Sequence, residues 1–353
     1  MNRFISTDPN NLRIAQILDA NLDRAREGLR VLEDWARFGV GKDELVKELK
    51  NYRQLLGKHH LKEYKDSRNF TKDTSTGLSH REQQKRKSIN SLISANCSRV
   101  QEALRVIEEY SRNINVELSS LSSKIRYEIY QIEITLLNYS SNKELIEVIL
   151  KNNLYFISNQ SPKVHQIIES VLKGGIKIIQ HRFKDGSDFQ NLQDAIKIRQ
   201  LCTIHDALFI VNDRVDIALA CNADGVHLGQ DDIDISSARR ILGFSKLIGV
   251  SANKSSEIKS AIRDGADYLG IGPVFETPSK KEKIPLGIKK IKELTQDVSI
   301  PFFIIGGIKQ ENLPILKING FRKVALISEI ANSVNPQEKA IMLIKKLSDE
   351  NNS

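Results

Sequence analysis

LFIVNDRVDIALACNADGVHLGQDD, residues 208–232, contains two short apolar runs, LFIVN and GVHLG, joined by a segment rich in charged and small residues. Strands that are apolar without alternation are buried on both faces, which points to a parallel sheet. The same beat extends outward in both directions. LYFIS (154–158) and KIIQHR (177–182) precede it; LIGVS (247–251), YLGIGPV (268–274), FFIIGG (302–307) and KVALIS (323–328) follow, at spacings of about 20–27 residues. Amphipathic stretches such as SPKVHQIIESVLKGG and SSEIKSAIRDGA fit between most of them. Eight such units within residues 153–348 predict an α/β domain of the (β/α)8 TIM-barrel class. A doubly wound open sheet is the alternative. It normally has fewer strands and a glycine-rich loop after the first, whereas the first strand here runs into ISNQSP.

Residues 1–145 have a different texture, with one proline and long runs of Leu, Glu, Lys and Arg, and predict an all-helical domain. It contains a repeat: ANLDRAREGLRVLEDWAR (20–37) matches ANCSRVQEALRVIEEYSR (95–112) at nine of 18 positions. Leu22, Ala25, Leu29 and Leu32 recur at helical spacing, as do Cys97, Val100, Leu104 and Ile107, so two related helices should pack with pseudo-two-fold symmetry. Asp19 and Ser94 are expected as N-caps. Each copy places Asn, Arg, Glu and Arg in register: Asn21, Arg24, Glu27, Arg30 and Asn96, Arg99, Glu102, Arg105. Buried Arg–Glu pairs between helices are one reading; a polar pocket for a small anion is the other. GVGKDE (39–44) lacks the features of a Walker loop. The polar tract 67–87 reads as a loop.

A chain of 353 residues suits two domains, and 40% hydrophobic with 27% charged residues is ordinary globular usage. Cys97, Cys202 and Cys221 are too few and scattered for a disulfide framework. No apolar run is long enough to span a bilayer, and MNRFISTDPN lacks the core of a signal peptide, so a cytoplasmic protein without a membrane partner is expected. The net charge of +9 is spread over both halves, which argues against a nucleic-acid arm and suits phosphorylated small molecules.

In a barrel of this kind the chemistry lies at the C-terminal strand ends. Those ends carry Gln180, Arg182 and Lys184; Asn212 and Asp213; Asp232; Ser251; Thr277, Pro278, Ser279 and Lys280; Gly306 and Gly307; Ile327 and Ser328. Singly, each has a bland reading as a surface charge, a helix cap or a chain turn. Together they sort into three sets. Arg182, Lys184 and Lys280 suit a polyanion. Asp213 and Asp232 suit one Mg²⁺. The Gly306–Gly307 and Ile327–Ser328 backbones suit a phosphate. The combination implies two phosphorylated ligands, one of them a diphosphate.

At these residues the sequence resembles the thiamine phosphate synthase (thiamine-phosphate pyrophosphorylase) family, from about residue 153 to 345. The resemblance is carried by QHRFKDG, FIVNDRVDIALACNADGVHLGQDD, IGVSA, GADYLGIGPVFETPSKK, PLGI, FFIIGGI and ALISEI. It implies a barrel enzyme that joins 4-amino-2-methyl-5-hydroxymethylpyrimidine diphosphate to a thiazole phosphate with release of pyrophosphate. It also implies site roles. Gln180, Arg182, Lys184, Asn212, Ser251 and Lys280 correspond to the pyrimidine diphosphate site, and Asp213 and Asp232 to the Mg²⁺ ligands. Thr277, Pro278, Ser279, Gly287, Ile327 and Ser328 correspond to the thiazole phosphate site. Glu276-Thr277-Pro278-Ser279-Lys280 departs from the family's usual Pro-Thr-x-Thr-Lys, and His181 and Phe183 replace more usual neighbours of the charged triad. A thiazole tautomerase-like barrel is the competing member of the superfamily, but it does not need the full cation and carboxylate set. The helical repeat resembles the extension fused to this synthase in some bacteria, chiefly cyanobacteria, which implies phosphorylation of hydroxymethylpyrimidine phosphate. The alternative is a dimerisation or tethering module in a homo-oligomer.

Overall fold

The computed structural model describes residues 9–68, 88–277 and 284–348. The chain divides into two compact units, Met1–Ser141 and Asn142–Ser353. Among the described residues no helix is long and apolar enough to cross a membrane.

The first unit is helical: α1 (Pro9–Asp34), α2 (Asp43–Lys58), α3 (Lys62–Asp66), α4 (Ile89–Ser111) and the start of α5 (Val116–Lys151). Leu18, Leu22, Ala25, Leu29 and Leu32 of α1 meet Ile93, Cys97, Val100, Leu104 and Ile107 of α4 in one core. Each fully buried leucine or isoleucine contributes roughly 1.5–3 kcal/mol. The helices cross at Gly28, where an added Cβ would lie 2.6 Å from Val100 Cγ2. The repeat is visible in matching bonds: Asn21 Nδ2 donates to Ile17 O (2.8 Å) and Asn96 Nδ2 to Leu92 O (2.9 Å).

Two expectations for this unit are corrected. Asp19 and Ser94 are not caps, because both helices begin well before the repeat does; α4 is capped by Ser88, whose hydroxyl accepts from Ser91 N. Asp19 instead lies buried within α1, where it accepts from His60 Nε2 (2.8 Å) and Arg68 Nε (2.5 Å). Burial would raise its pKa, but the bonds from Arg68 and His60 hold it below the usual carboxylate value. Nor do the repeated Arg24, Glu27, Arg99 and Glu102 form buried pairs, since all four are exposed. Within the repeat the buried acids are Glu33 and Glu108, one per copy. Each is met by the arginine three residues earlier (Arg30, 3.7 Å; Arg105, 3.0 Å) and by one from another helix (Arg53, 2.8 Å; Arg126, 3.2 Å).

The second unit is a closed parallel barrel in the order β1 to β8, with β8 pairing back to β1. Its strands are β1 (Leu154–Ile157), β2 (Ile178–His181), β3 (Leu208–Asn212), β4 (Gly225–Leu228), β5 (Leu247–Ala252), β6 (Tyr268–Ile271), β7 (Phe302–Ile305) and β8 (Val324–Leu326). The helices are α6 (Val164–Lys173), α7 (Asp188–Ile204), α8 (Val215–Ala220), α9 (Ile235–Leu242), α10 (Ser255–Asp264), α11 (Gly287–Thr295), α12 (Leu313–Ile318), α13 (Ser328–Ala331) and α14 (Pro336–Ser348). Side chains alternate across the sheet. Phe156, Ile179, Phe209, Val226, Ile248 and Leu269 pack outward under the helices, while Tyr155, Ile178, Leu208, Leu247, Tyr268 and Phe303 fill the interior. Tyr268 fits because its neighbour in register is Gly249, where a Cβ would stand 2.1 Å from the tyrosine Cζ. The end of α5, including Ile149, packs on this inner layer, and Lys323 Nζ donates to Ile149 O, Leu150 O and Asn152 O.

Candidate active site

A cavity of about 1220 Å³ is lined by residues at the C-terminal strand ends. Gln180, Arg182, Lys184, Asn212, Asp213, Asp232, Ser251, Thr277, Gly306, Gly307, Ile327 and Ser328 all line it. Gly287 does not. It opens α11 at φ +71°, with its N–H on Val274 O (3.2 Å), and so shapes the loop after β6. Pro278, Ser279 and Lys280 lie outside the described residues.

The cation side is set by β1 and β2. Arg182 N donates to Ser158 Oγ (3.2 Å), and Gln160 Oε1 accepts from Lys184 N (3.4 Å) and Asp185 N (2.9 Å), which fixes the backbone of the cationic turn. Arg214, next to Asp213, is held by Asp188 and Asp216 instead and does not line the cavity.

Asp213 sits directly after β3 at φ +62°, a conformation that costs a non-glycine residue about 1–3 kcal/mol and concentrates at functional positions. Its N–H donates to His227 O (2.8 Å), which holds the turn. Burial, then hydrogen bonding to Asp232 and the charge of that carboxylate, push Asp213 up to about 6; Lys184 and Arg182 pull the other way. Asp232 Oδ2 accepts from Gly229 N (2.6 Å), which aims it at its partner. Two carboxylates this close share a proton or a cation. The pair therefore fits a divalent metal, with Asp213 and Asp232 as its holders.

Gly306 (φ +103°) and Gly307 (φ +63°) form a left-handed turn after β7. A Cβ at Gly306 would meet Pro273 Cβ at 2.4 Å, and one at Gly307 would meet Glu276 O at 2.1 Å, so backbone rather than side chain lines this wall. Together with Ile327 and Ser328 it offers main-chain atoms to an anion.

Three lining aromatics escaped the sequence reading. Tyr155, Tyr268 and Phe303 form the aromatic floor, with ring centroids 5.1–6.3 Å apart. His227, which alternation within its strand leaves as a core residue or a polar contact, lines the cavity with them and bonds to both Tyr268 and Ser251. Inward alternation along the strands was the signal that could have found them.

The family model for thiamine monophosphate synthase matches residues 154–330, and that of the ThiD2 family matches residues 16–135. A thiamine-phosphate synthase of Prochlorococcus marinus (strain AS9601) is 58% identical over 98% of both chains. Another, from Prochlorococcus marinus (strain MIT 9313), is 43% identical over 96% of this chain and 97% of its own. The solved thiamine phosphate pyrophosphorylase of Pyrococcus furiosus aligns with a TM-score of 0.52 and 33% identity, covering 57% of this chain and 97% of its own. On the full-length identity and the match across the barrel, this chain belongs to the thiamine-phosphate synthase family.

Proposed function

We propose that the barrel transfers the (4-amino-2-methylpyrimidin-5-yl)methyl group of 4-amino-2-methyl-5-hydroxymethylpyrimidine diphosphate to 4-methyl-5-(2-phosphoethyl)thiazole, giving thiamine phosphate and pyrophosphate. The observation that carries the reading is the convergence of Arg182, Lys184 and the Asp213–Asp232 pair on one cavity whose far chemistry is a glycine turn.

The reaction breaks the bond between the methylene carbon and the diphosphate oxygen, and the electron pair leaves with pyrophosphate. The aminopyrimidine ring donates electrons to the methylene, so the cation left behind is stabilised. The thiazole nitrogen then gives its lone pair to that carbon. No covalent nucleophile is needed. Arg182 and Lys184, with Lys280 as a further cation, offset charge developing on the leaving group; Gln180, Asn212 and Ser251 orient the pyrimidine. When bound at Asp213 and Asp232, Mg²⁺ would add Lewis-acid neutralisation of the diphosphate. Thr277, Gly306, Gly307, Ile327 and Ser328, with Pro278 and Ser279, take the thiazole phosphate and align the second reactant. The aromatic floor closes the pocket from below and keeps water from the cation.

The proposal places the enzyme in the cytoplasm, working on small phosphorylated substrates. For the helical unit it assigns phosphorylation of hydroxymethylpyrimidine phosphate, the step that supplies the diphosphate; ADP release from ATP and that monophosphate is the check. The synthase test mixes the purified full chain with both substrates, with and without Mg²⁺. Equal amounts of pyrophosphate and thiamine phosphate, dependent on both substrates, are expected. Absence of both products overturns the reading.

A further inference from the structure

Five side chains form a continuous hydrogen-bonded line across the cavity floor. Gln180 Nε2 donates to Tyr155 Oη (2.8 Å), Tyr155 and Tyr268 share a bond (3.0 Å), Tyr268 Oη meets His227 Nδ1 (3.2 Å), and His227 Nε2 meets Ser251 Oγ (3.0 Å). Tyr155 and Tyr268 are 2% and 1% exposed, so their hydroxyls must be satisfied inside the protein.

The line has a direction. An amide nitrogen donates and cannot accept. Tyr155 therefore accepts from Gln180 and passes its one proton to Tyr268. Tyr268 passes its own to Nδ1 of His227, which must be bare, so the imidazole proton lies on Nε2 and is given to Ser251. Ser251 has then accepted, and its hydroxyl proton is left for the cavity that it lines. At the other end Gln180, having spent one N–H inward, keeps its carbonyl oxygen and its second N–H. The ligand thus meets a fixed donor at Ser251.

We propose that Tyr155, Tyr268 and His227 are positioning residues that fix this polarity and thereby select a 4-aminopyrimidine over its 4-oxo counterpart. The amino edge presents a bare ring nitrogen, which the Ser251 hydroxyl can meet as a donor. The oxo edge presents the inverse, a carbonyl beside a ring N–H. This inference rests on the synthase reading for its substrate. Strand pairing supports the geometry: Ser251 lies in register with Gly270, where the absence of a side chain leaves room for the His227 ring (3.1 Å from a would-be Cβ to Cε1).

The test compares kcat/KM for the 4-amino and 4-oxo pyrimidine diphosphates. A site built on paired hydrogen bonds should favour the amino compound by about 100-fold or more in the native protein. In Tyr268→Phe the hydroxyl that holds His227 Nδ1 as an acceptor is gone, so the tyrosine no longer dictates the His227 tautomer or the Ser251 polarity. The preference should fall below about tenfold, while the amino substrate loses less than about tenfold, the value of one lost bond. Tyr155→Phe is the second variant should Tyr268→Phe fail to fold, and His227→Gln, which keeps a donor and an acceptor, should retain more of the preference than His227→Leu. Independently of turnover, ¹⁵N NMR of labelled protein should report the Nε2–H tautomer for His227, assigned with His227→Gln. An Nδ1–H tautomer, an unchanged preference in the tyrosine variants, or an equal loss on both substrates overturns the proposal. Failure of the native protein to make any product would instead strike the synthase reading, with the tautomer still deciding the relay.

Discussion

His181 lies on the outer face of β2, 3% exposed, between Gln180 and Arg182, which both line the cavity. Its ring lies 5.9 Å from that of Phe183. Burial pushes its pKa from 6.5 down to about 4, with partial compensation from Asp194 and Asn191. The sign of the consequence follows from proton counting. Below pH 6.5 the unfolded chain takes up a proton that folded His181 refuses, so stability falls as pH drops from 6.5 to 4 and the loss is complete below 4. At 1.36 kcal/mol per pH unit the full effect is about 3 kcal/mol, of which about 2 is reached by pH 5. His181→Leu removes the titration at similar volume. Carboxylates titrate in the same range in both proteins, so the difference between them is the observable. The chain has two units and need not unfold in one step, so hydrogen exchange of the β2 and β3 amides is the suitable readout. From pH 7.5 to pH 5 the native protein should lose about 2 kcal/mol more protection than the variant. Parallel pH profiles would refute the argument that burial keeps this histidine neutral.

Three further outcomes are expected. Asp213→Ala and Lys280→Ala should each lower kcat by about 100-fold or more with unchanged circular dichroism; near-normal steady-state rates in both would sink the site assignment. Gly307→Ala, strained by φ +63° and by a Cβ 2.1 Å from Glu276 O, should raise KM for the thiazole phosphate more than that for the pyrimidine diphosphate and cost about 1–3 kcal/mol in urea unfolding; equal KM changes would argue against a phosphate wall. In the helical unit, Arg126→Met removes a bond to buried Glu108 and should cost about 1–3 kcal/mol, whereas Arg112→Met, whose short ion pair is with exposed Glu109 (2.9 Å), should cost less than about 1 kcal/mol, both measured by denaturation.

The barrel was legible because strands buried on both faces leave continuous apolar runs, and because strand ends collect in one place once a barrel is assumed. LFIVN matches β3 at both ends, LIGVS stops one residue short of β5, and the other six runs overshoot their strands by a residue or more, since the polar and glycine residues that follow them belong to the site. The helix starts were less legible. The duplicated segment is shorter than the helices that carry it, so the edge of the repeat was mistaken for the edge of α1 and α4. The repeated charges were half informative: Arg30 and Arg105 do meet buried acids, but these are Glu33 and Glu108, identical between the copies, and not Glu27 and Glu102.

The aromatic floor was hidden for a deeper reason. Tyr155 and Tyr268 sit inside apolar runs and read as core until barrel closure sets Tyr268 beside Gly249 and brings its hydroxyl to Tyr155. Closure also gives His227 a double duty that no linear pattern could display. Its carbonyl accepts from Asp213 N and holds that residue in its left-handed conformation, while its ring bonds to Ser251. The carboxylate pair and the pyrimidine-facing hydroxyl are thereby tied to one residue of β4. A substitution at position 227 that keeps the backbone should spare the Asp213 turn and disturb only the ring contacts. A shift of β4 itself would move both sets together, so the metal-facing and pyrimidine-facing groups keep their spacing only as long as the β3–β4 register, with Asn212 opposite His227, is intact.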